Sequence, residues 1–413
     1  MSTRRDFLKT STLLGFGATV PTFLGRTAFA APPADANGAK DTVLVVVQLT
    51  GGNDGLNTVI PHKNELYYNY RPTIAVPKDQ VFEISDDLGL HPSLDSLGRL
   101  LNDDSAVCVV QGVGYPNPSQ SHFRSMDIWQ AASTADNLTE GWVGKALKQK
   151  PYASFHLAAG NESAPLALAG APARVPSITS LEDFQLKVGG ANAAEKNRQK
   201  KVIEAVASGG PNATTQPPLL DFVRRTAMNT YASTEKLAAI GKNYQPKYPY
   251  PATPFANRLK LAAQLIDAGI GARIFYVSHD GFDTHAGQGG VVGAHANLLR
   301  DVGDGIAAFY RDLAERGHGE RICVMTFSEF GRRAKENGSR GTDHGSGAPM
   351  FLVGGRVHSG IVGDHPSLDK LEDGNLKHAI DFRQVYAAVL SDWLGIDPQP
   401  VVGDFKPAAV FNL

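Results

Sequence analysis

Five short apolar runs punctuate the chain, and a polar cluster follows most of them directly. Residues 42–49 (TVLVVVQL) form the longest, and 106–110, 272–277, 322–327 and 350–353 are of the same kind. A run this short and this continuously apolar predicts a strand buried on both faces, as in the middle of a parallel sheet. Apolar positions at helical spacing lie between the runs, at 93–101, 254–268, 294–316 and 382–394. In the second of these, Leu259, Ala262, Ala263 and Ile266 share one face. The alternation predicts an α/β fold with a mostly parallel central sheet and helices on both faces. From about 150 to 250 the chain changes character, becoming rich in Ala, Gly, Asn, Thr and Pro, with helical patterns at 194–207 and 217–240. That stretch is expected to be an inserted cap region on a single domain spanning 42–413. No internal repeat breaks the pattern.

The first thirty residues have a different logic. Arg4-Arg5 is followed by Asp6-Phe7-Leu8-Lys9, in the manner of a twin-arginine export consensus. A mildly apolar stretch from Thr12 to Leu24 follows, and Ala28-Phe29-Ala30 offers small residues for cleavage after Ala30. Residues 1–30 are therefore expected to be a Tat signal peptide, with the Tat translocase as the partner in export, and 31–41 a linker. The expected destination is the periplasm or the cell exterior. No later run approaches the roughly eighteen apolar residues of a membrane span, so no stable span is expected.

Charge and cysteine content narrow the function classes. The formal charge is −1, and losing Arg4, Arg5, Lys9 and Arg26 together with Asp6 takes it to −4. Without a basic run, this is not the footprint of a nucleic-acid binder. The two cysteines, Cys108 and Cys323, lie inside apolar runs and read as buried thiols acting as small hydrophobes. A disulfide between them is chemically open in an oxidising compartment.

The candidate chemistry sits where the strands end. After 42–49 comes Thr50-Gly51-Gly52-Asn53-Asp54-Gly55-Leu56-Asn57, and after 106–110 comes a loop ending in Ser119-Gln120-Ser121-His122-Phe123. After 272–277 comes Ser278-His279-Asp280-Gly281-Phe282-Asp283-Thr284-His285. After 322–327 come Ser328-Glu329-Phe330-Gly331-Arg332 and then Thr342-Asp343-His344-Gly345. Singly, each is an ordinary turn or cap. Together they put Asp, His, Ser and Glu at the carboxyl edge of a parallel sheet, where such sheets bind ligands. Oxygen and imidazole donors suit a divalent metal, zinc or manganese above all. Two such ions about 4 Å apart could clamp a phosphoryl or sulfuryl group, and a serine beside them would gain nucleophilic strength. A Ser121–His122 pair acting alone is disfavoured, because adjacent helical residues do not face each other and no Gly-x-Ser-x-Gly elbow is present.

These same segments carry a resemblance over nearly the whole mature chain. Gly51 to Asn57, Ser121-His122-Phe123, Phe282-Asp283-Thr284-His285, Ser328 to Arg332 and Thr342 to Gly345 resemble the bacterial family called domain of unknown function 1501. That family looks like a branch of the alkaline phosphatase and sulfatase superfamily. The resemblance implies an alkaline-phosphatase-like fold and a periplasmic hydrolase of phosphate or sulfate esters with a one- or two-metal site. It implies Asp54, Asp283, His285, Asp343 and His344 as metal ligands and Ser121 as nucleophile, with Ser119 second in line. His122, Glu329 and Arg332 join the catalytic set, Glu329 as a ligand or as the orienter of a neighbour, and Arg332 as the holder of an anionic oxygen or as a cap on the sheet. The expected substrate is an anionic ester, small or polymeric. Asp283 and His285 are closer in sequence than the superfamily pattern, and for a late histidine ligand His358, His365 and His378 all stay open. A non-catalytic binding or assembly protein of the same fold is the alternative.

Overall fold

The computed structural model describes residues 41–181 and 244–412. The expected signal peptide and the helical patterns at 194–207 and 217–240 lie outside the described residues, as does nearly all of the expected linker.

The strands in chain order are β1 (Val43–Thr50), β2 (Val59–Ile60), β3 (Phe82–Glu83), β4 (Gly89–Leu90), β5 (Val107–Gly114), β6 (Ala153–Leu157), β7 (Ser177–Ile178), β8 (Ala272–Asp280), β9 (Ile322–Phe327), β10 (Ala348–Val353), β11 (Gly360–Val362) and β12 (Ile380–Asp381). The α-helices are α1 (Glu65–Tyr70), α2 (Asp95–Asn102), α3 (His122–Ala131), α4 (Trp142–Gln149), α5 (Pro254–Asp267), α6 (Ala294–Ala314), α7 (Phe382–Ala388) and α8 (Gln399–Val402). The main sheet runs β11-β5-β10-β9-β1-β8-β6-β7, with β12 also on β5. Every pairing in it is parallel except those of β10, which is antiparallel to both β5 and β9. The fold is therefore α/β with a mostly parallel central sheet.

The apolar run of β1 explains its own position. Val43, Val45, Val47 and Leu49 face one core, and Leu44 and Val46 face the other. Side chains alternate across a strand, so a strand covered on both sides must be apolar at every position. The first core takes Leu97 of α2, Phe255 and Leu259 of α5 and Leu299 of α6. The second takes Trp129 of α3, Trp142 of α4 and Tyr386 of α7. Within it, the Trp129 ring stacks on Phe382 at 4.3 Å and Trp142 on Tyr386 at 4.6 Å. Helix starts follow local chemistry. Thr253 caps α5 through the Ala256 N–H, with Pro254 just inside, and Asp381 and Gln384 form a capping box on α7.

Two features depart from the sequence pattern. β6 and β7 fall within the stretch read as a cap, yet they extend the main sheet beyond β8. The expected final helix over 382–394 stops being α-helical at Ala388 and finishes in a π turn over Val389–Trp393.

Cys108 and Cys323 are free, buried thiols. They sit on β5 and β9 with β10 between them, so two strand spacings of about 4.8 Å separate them, beyond the reach of a disulfide. Burial pushes the Cys108 thiol up to about 12. No helix among the described residues is long and apolar enough to cross a membrane.

Candidate metal centre

β1, β8 and β9 end side by side at their carboxyl edge. The chain leaves β1 through two glycines that no other residue could replace. Gly51 (φ 121°) and Gly52 (φ 80°) lie in the left-handed region. A Cβ on Gly51 would meet the Asp283 nitrogen at 2.3 Å, and one on Gly52 would meet the Phe330 ring at 2.4 Å. Three loops are thereby packed backbone to backbone, and Arg332 fastens them. Its guanidinium is wholly buried and donates to the carbonyls of Gly51, Gly52 (2.7 Å), Phe282 (3.1 Å) and Thr342 (2.8 Å), and to Asp283 Oδ1 (2.7 Å). With its N–H groups so engaged, Arg332 is a clamp for loops rather than the expected holder of a substrate oxygen.

Around Asp283 Oδ1 stand three imidazole nitrogens. His285 Nε2 is 3.1 Å away, and His122 Nε2 and His344 Nε2 are each 3.4 Å away. The ligand atoms of His122, Asp283 and His344 all lie within 4.8 Å of one another. Each ring is turned by a partner on its other nitrogen. His122 Nδ1 lies 2.8 Å from Glu329 Oε1, His285 Nδ1 lies 3.3 Å from Asp343 Oδ1, and His344 Nδ1 lies 2.7 Å from the Gln120 carbonyl. A carboxylate or a carbonyl only accepts, so each Nδ1 carries the proton and each Nε2 presents a lone pair to the centre.

That arrangement fits a cation. His285 Nε2 and His344 Nε2 approach to 2.8 Å, and two bare acceptors at that distance repel unless a positive charge stands between them. His122 Nε2 is buried with no hydrogen-bond partner. Four donors on a tetrahedron about 2.0–2.1 Å from zinc would stand about 3.3 Å apart, close to the spacings around Asp283. A carboxylate or carbonyl behind each histidine is also the usual way that metal-binding imidazoles are oriented.

The electrostatics agree. Burial alone would raise the Asp283 pKa, but the Arg332 hydrogen bond and charge, with His122 and His285, hold it below the usual range. Asp343 is held low chiefly by its hydrogen bond from Asn337, then by His285. Burial, followed by the nearby positive groups, lowers His344 and favours its neutral, ligating form.

The expected residues thus part company. Asp283, His285, His344 and His122 converge. Glu329 and Asp343 stand one step behind, each holding a histidine. Glu329 is fully buried and also accepts the Gly51 N–H at 2.8 Å. Asp54 is elsewhere. Its carboxylate takes a two-pronged contact from Arg71 at 2.6 and 2.8 Å and a third from Gln288 Nε2 at 2.5 Å, all fully buried. Although burial opposes ionisation, Arg71, His295 and Gln288 hold Asp54 below its ordinary pKa. Its oxygens are committed, so the structure gives no support to its expected role as a ligand. Ser121 is the exposed N-cap residue of α3, and its side chain makes no capping hydrogen bond. The residues on either side of it, Gln120 and His122, both touch the histidine cluster. Ser119 instead receives the Ser121 N–H through its hydroxyl at 3.3 Å. His358 faces Asn412 and His365 the Pro366 carbonyl, and the Cβ of His378 packs against Gly114. None of the three belongs to the cluster.

Residues 41–407 match the family described as a protein of unknown function, DUF1501. The chain belongs to that family. No curated protein matches it. Among solved structures, the DUF1501 chain is similar to a sulfatase from Pseudoalteromonas sp. at 13% identity and TM-score 0.37, covering 94% of this chain and 77% of that one. It is also similar to a protein in the alkaline phosphatase superfamily from Vibrio parahaemolyticus at 9% identity and TM-score 0.36, covering 94% and 78%. A third is the C-terminal periplasmic domain of EptC from Escherichia coli, in complex with zinc, at 12% identity and TM-score 0.30, covering 79% and 77%. Identities and scores this low carry no argument about the chemistry of the DUF1501 chain.

Sequence reading missed Gln120, whose carbonyl orients His344, and Arg71 with Gln288, which claim Asp54. None of these belongs to a motif. Only the nearness of Gln120 to His122 hinted at a role for it.

Proposed function

We propose that this DUF1501 chain is an exported, periplasmic metal-dependent hydrolase of phosphate or sulfate esters, built around one divalent ion. The observation that carries this reading is the convergence of three imidazole Nε2 atoms on Asp283 Oδ1. His122, Asp283, His285 and His344 would hold the ion, and the nitrogen-rich set favours zinc. When bound, such an ion supplies Lewis-acid stabilisation of charge on an ester oxygen.

The chain's own residues supply the rest. Glu329, Asp343 and the Gln120 carbonyl keep the three rings in one tautomer, while Arg332 holds Asp283 and the loops around it. Helix α3 points its N-terminus, with its free N–H groups and positive dipole end, toward the same edge, which favours an anionic group there. Ser121, at that N-terminus with an uncommitted hydroxyl, is assigned as nucleophile. Its Oγ forms a bond to phosphorus or sulfur as the bond to the ester alcohol breaks, and the serine proton leaves with the alcohol. Water then cleaves the Oγ bond, releases the inorganic anion and restores the serine.

A screen of aryl phosphates and aryl sulfates against zinc- and manganese-reconstituted protein tests the reading. Turnover should disappear in Ser121→Ala while metal content stays unchanged. Reconstituted protein that hydrolyses neither class would instead make this a metal-holding binding or assembly protein.

A further inference from the structure

A second group of polar side chains lies at the same sheet edge, on the β6 and β8 side, and the proposed chemistry does not use it. Arg258 of α5 is 8% exposed, yet its Nε and Nη1 have no hydrogen-bond acceptor. Its nearest countercharge is Glu162, 3.9 Å from Nη1. His156 is fully buried, and its Nε2 is likewise unpartnered, 3.7 Å from Glu162 Oε1. Ser278 Oγ is also buried without a hydrogen bond, and on the opposite face of β8 so is His279 Nε2, 3.9 Å from Asp301. Glu162 accepts the Ala159 N–H at 2.9 Å, and although burial opposes it, His156, Ala159 and Ser278 hold its carboxyl down at about 2. His156 also turns its other nitrogen to Ser177 Oγ at 2.9 Å.

Buried polar groups are nearly always satisfied, so several orphans in one place call for a missing partner. Gaps of 3.7–3.9 Å to Glu162 are too long for hydrogen bonds and leave these donors unsatisfied by it. The orphans are dominated by donors. The free Nε and Nη1 of Arg258 lie on different edges of the guanidinium, so each offers a single charged donor to an oxyanion. Glu162 offsets the Arg258 charge from the Nη1 side and leaves the Nε–H for a ligand.

We infer that Arg258, with Ser278 and His156, forms a separate subsite for an oxyanion such as a carboxylate, sulfate or phosphate group. The subsite faces the same edge as the histidine cluster. β6 lies two strand spacings from β1, about 10 Å. The His279 ring meets Phe282, the residue before Asp283, at 5.8 Å between centroids. If the metal centre takes an anionic ester, this subsite takes a second negative group of the same molecule, which makes the preferred substrate a polyanion. That last step rests on the proposed function, whereas the subsite itself does not.

Calorimetric titration of the whole protein with inorganic sulfate and with phosphate separates the two. Chelator-treated protein should still bind one of these anions, with equal strength in His344→Ala. Arg258→Gln should weaken binding at least about tenfold and Ser278→Ala by a smaller factor. Arg258→Lys, which keeps the charge but loses the Nε–H donor, should fall between. If thermal melting shows Arg258→Gln unfolded, the Lys and Ser278 variants decide. Anion binding that vanishes with chelator, or that all three variants leave unchanged, overturns the subsite. Binding that survives chelation while ester turnover is absent overturns only the hydrolase reading.

Discussion

Two carboxylate and histidine clusters grow from the same strand ends, and they have opposite fates. Around Asp54 the chain supplies its own cation. Arg71 grips both carboxylate oxygens, Gln288 adds a third contact, and the whole group is sealed from solvent. Around Asp283 only Arg332 approaches, the carboxylate is half exposed, and three Nε2 lone pairs crowd one oxygen. The first cluster is complete without an ion, and the second is not. A carboxylate at the end of a strand therefore becomes a metal ligand or a structural anchor according to whether a guanidinium reaches it first.

The largest expected effect tests the closed cluster. Arg71→Met leaves a buried carboxylate without its partner and should cost about 3–5 kcal/mol in urea unfolding. By contrast, His285→Ala, in the half-exposed cluster, should change metal-free stability by no more than about 0.5 kcal/mol. A reversed order would break the comparison. Next in size, Glu329→Gln and Asp343→Asn should each weaken zinc affinity about 10–100-fold without removing a ligand, as read by competition with a chromophoric chelator. Unchanged affinity would mean that the second nitrogens of His122 and His285 do not set the site.

Acid stability gives a further test. His295 is buried beside Asn53 and pushed down to about 3, chiefly by burial, and Asp54 is held below its ordinary value. Both folded pKa values lie below the unfolded ones, so the unfolded chain binds more protons in acid. Stability should be full above about pH 6.5 and should fall as pH drops toward 3. Asp54→Asn should flatten the lower part of that fall in melting curves taken across the range. An equally steep fall would remove Asp54 from the explanation.

The sheet was legible in the sequence because a doubly covered strand cannot hide its composition. Residues 322–327 were read as a strand and are β9. The direction of β10 was not legible, since a buried strand looks the same in either sense. At the site, the edge was legible but the division of labour was not. Asp343 and His344 are neighbours, yet one ring faces the ion position and the other residue stands behind His285. Chain neighbours diverge in extended backbone, and a dipeptide does not say which of its members turns inward. The pairing of Asp54 was not legible because Arg71 arrives from 17 residues on, with no motif to announce it. Unpartnered Arg258 was invisible for the same reason.

The most direct test is metal content by plasma mass spectrometry on purified wild-type, Asp54→Asn and Asp283→Asn proteins. One equivalent in wild type, one in Asp54→Asn and close to none in Asp283→Asn is the expected result. Two equivalents in wild type, falling to one when Asp54 is changed, would contradict the division between the closed and open clusters.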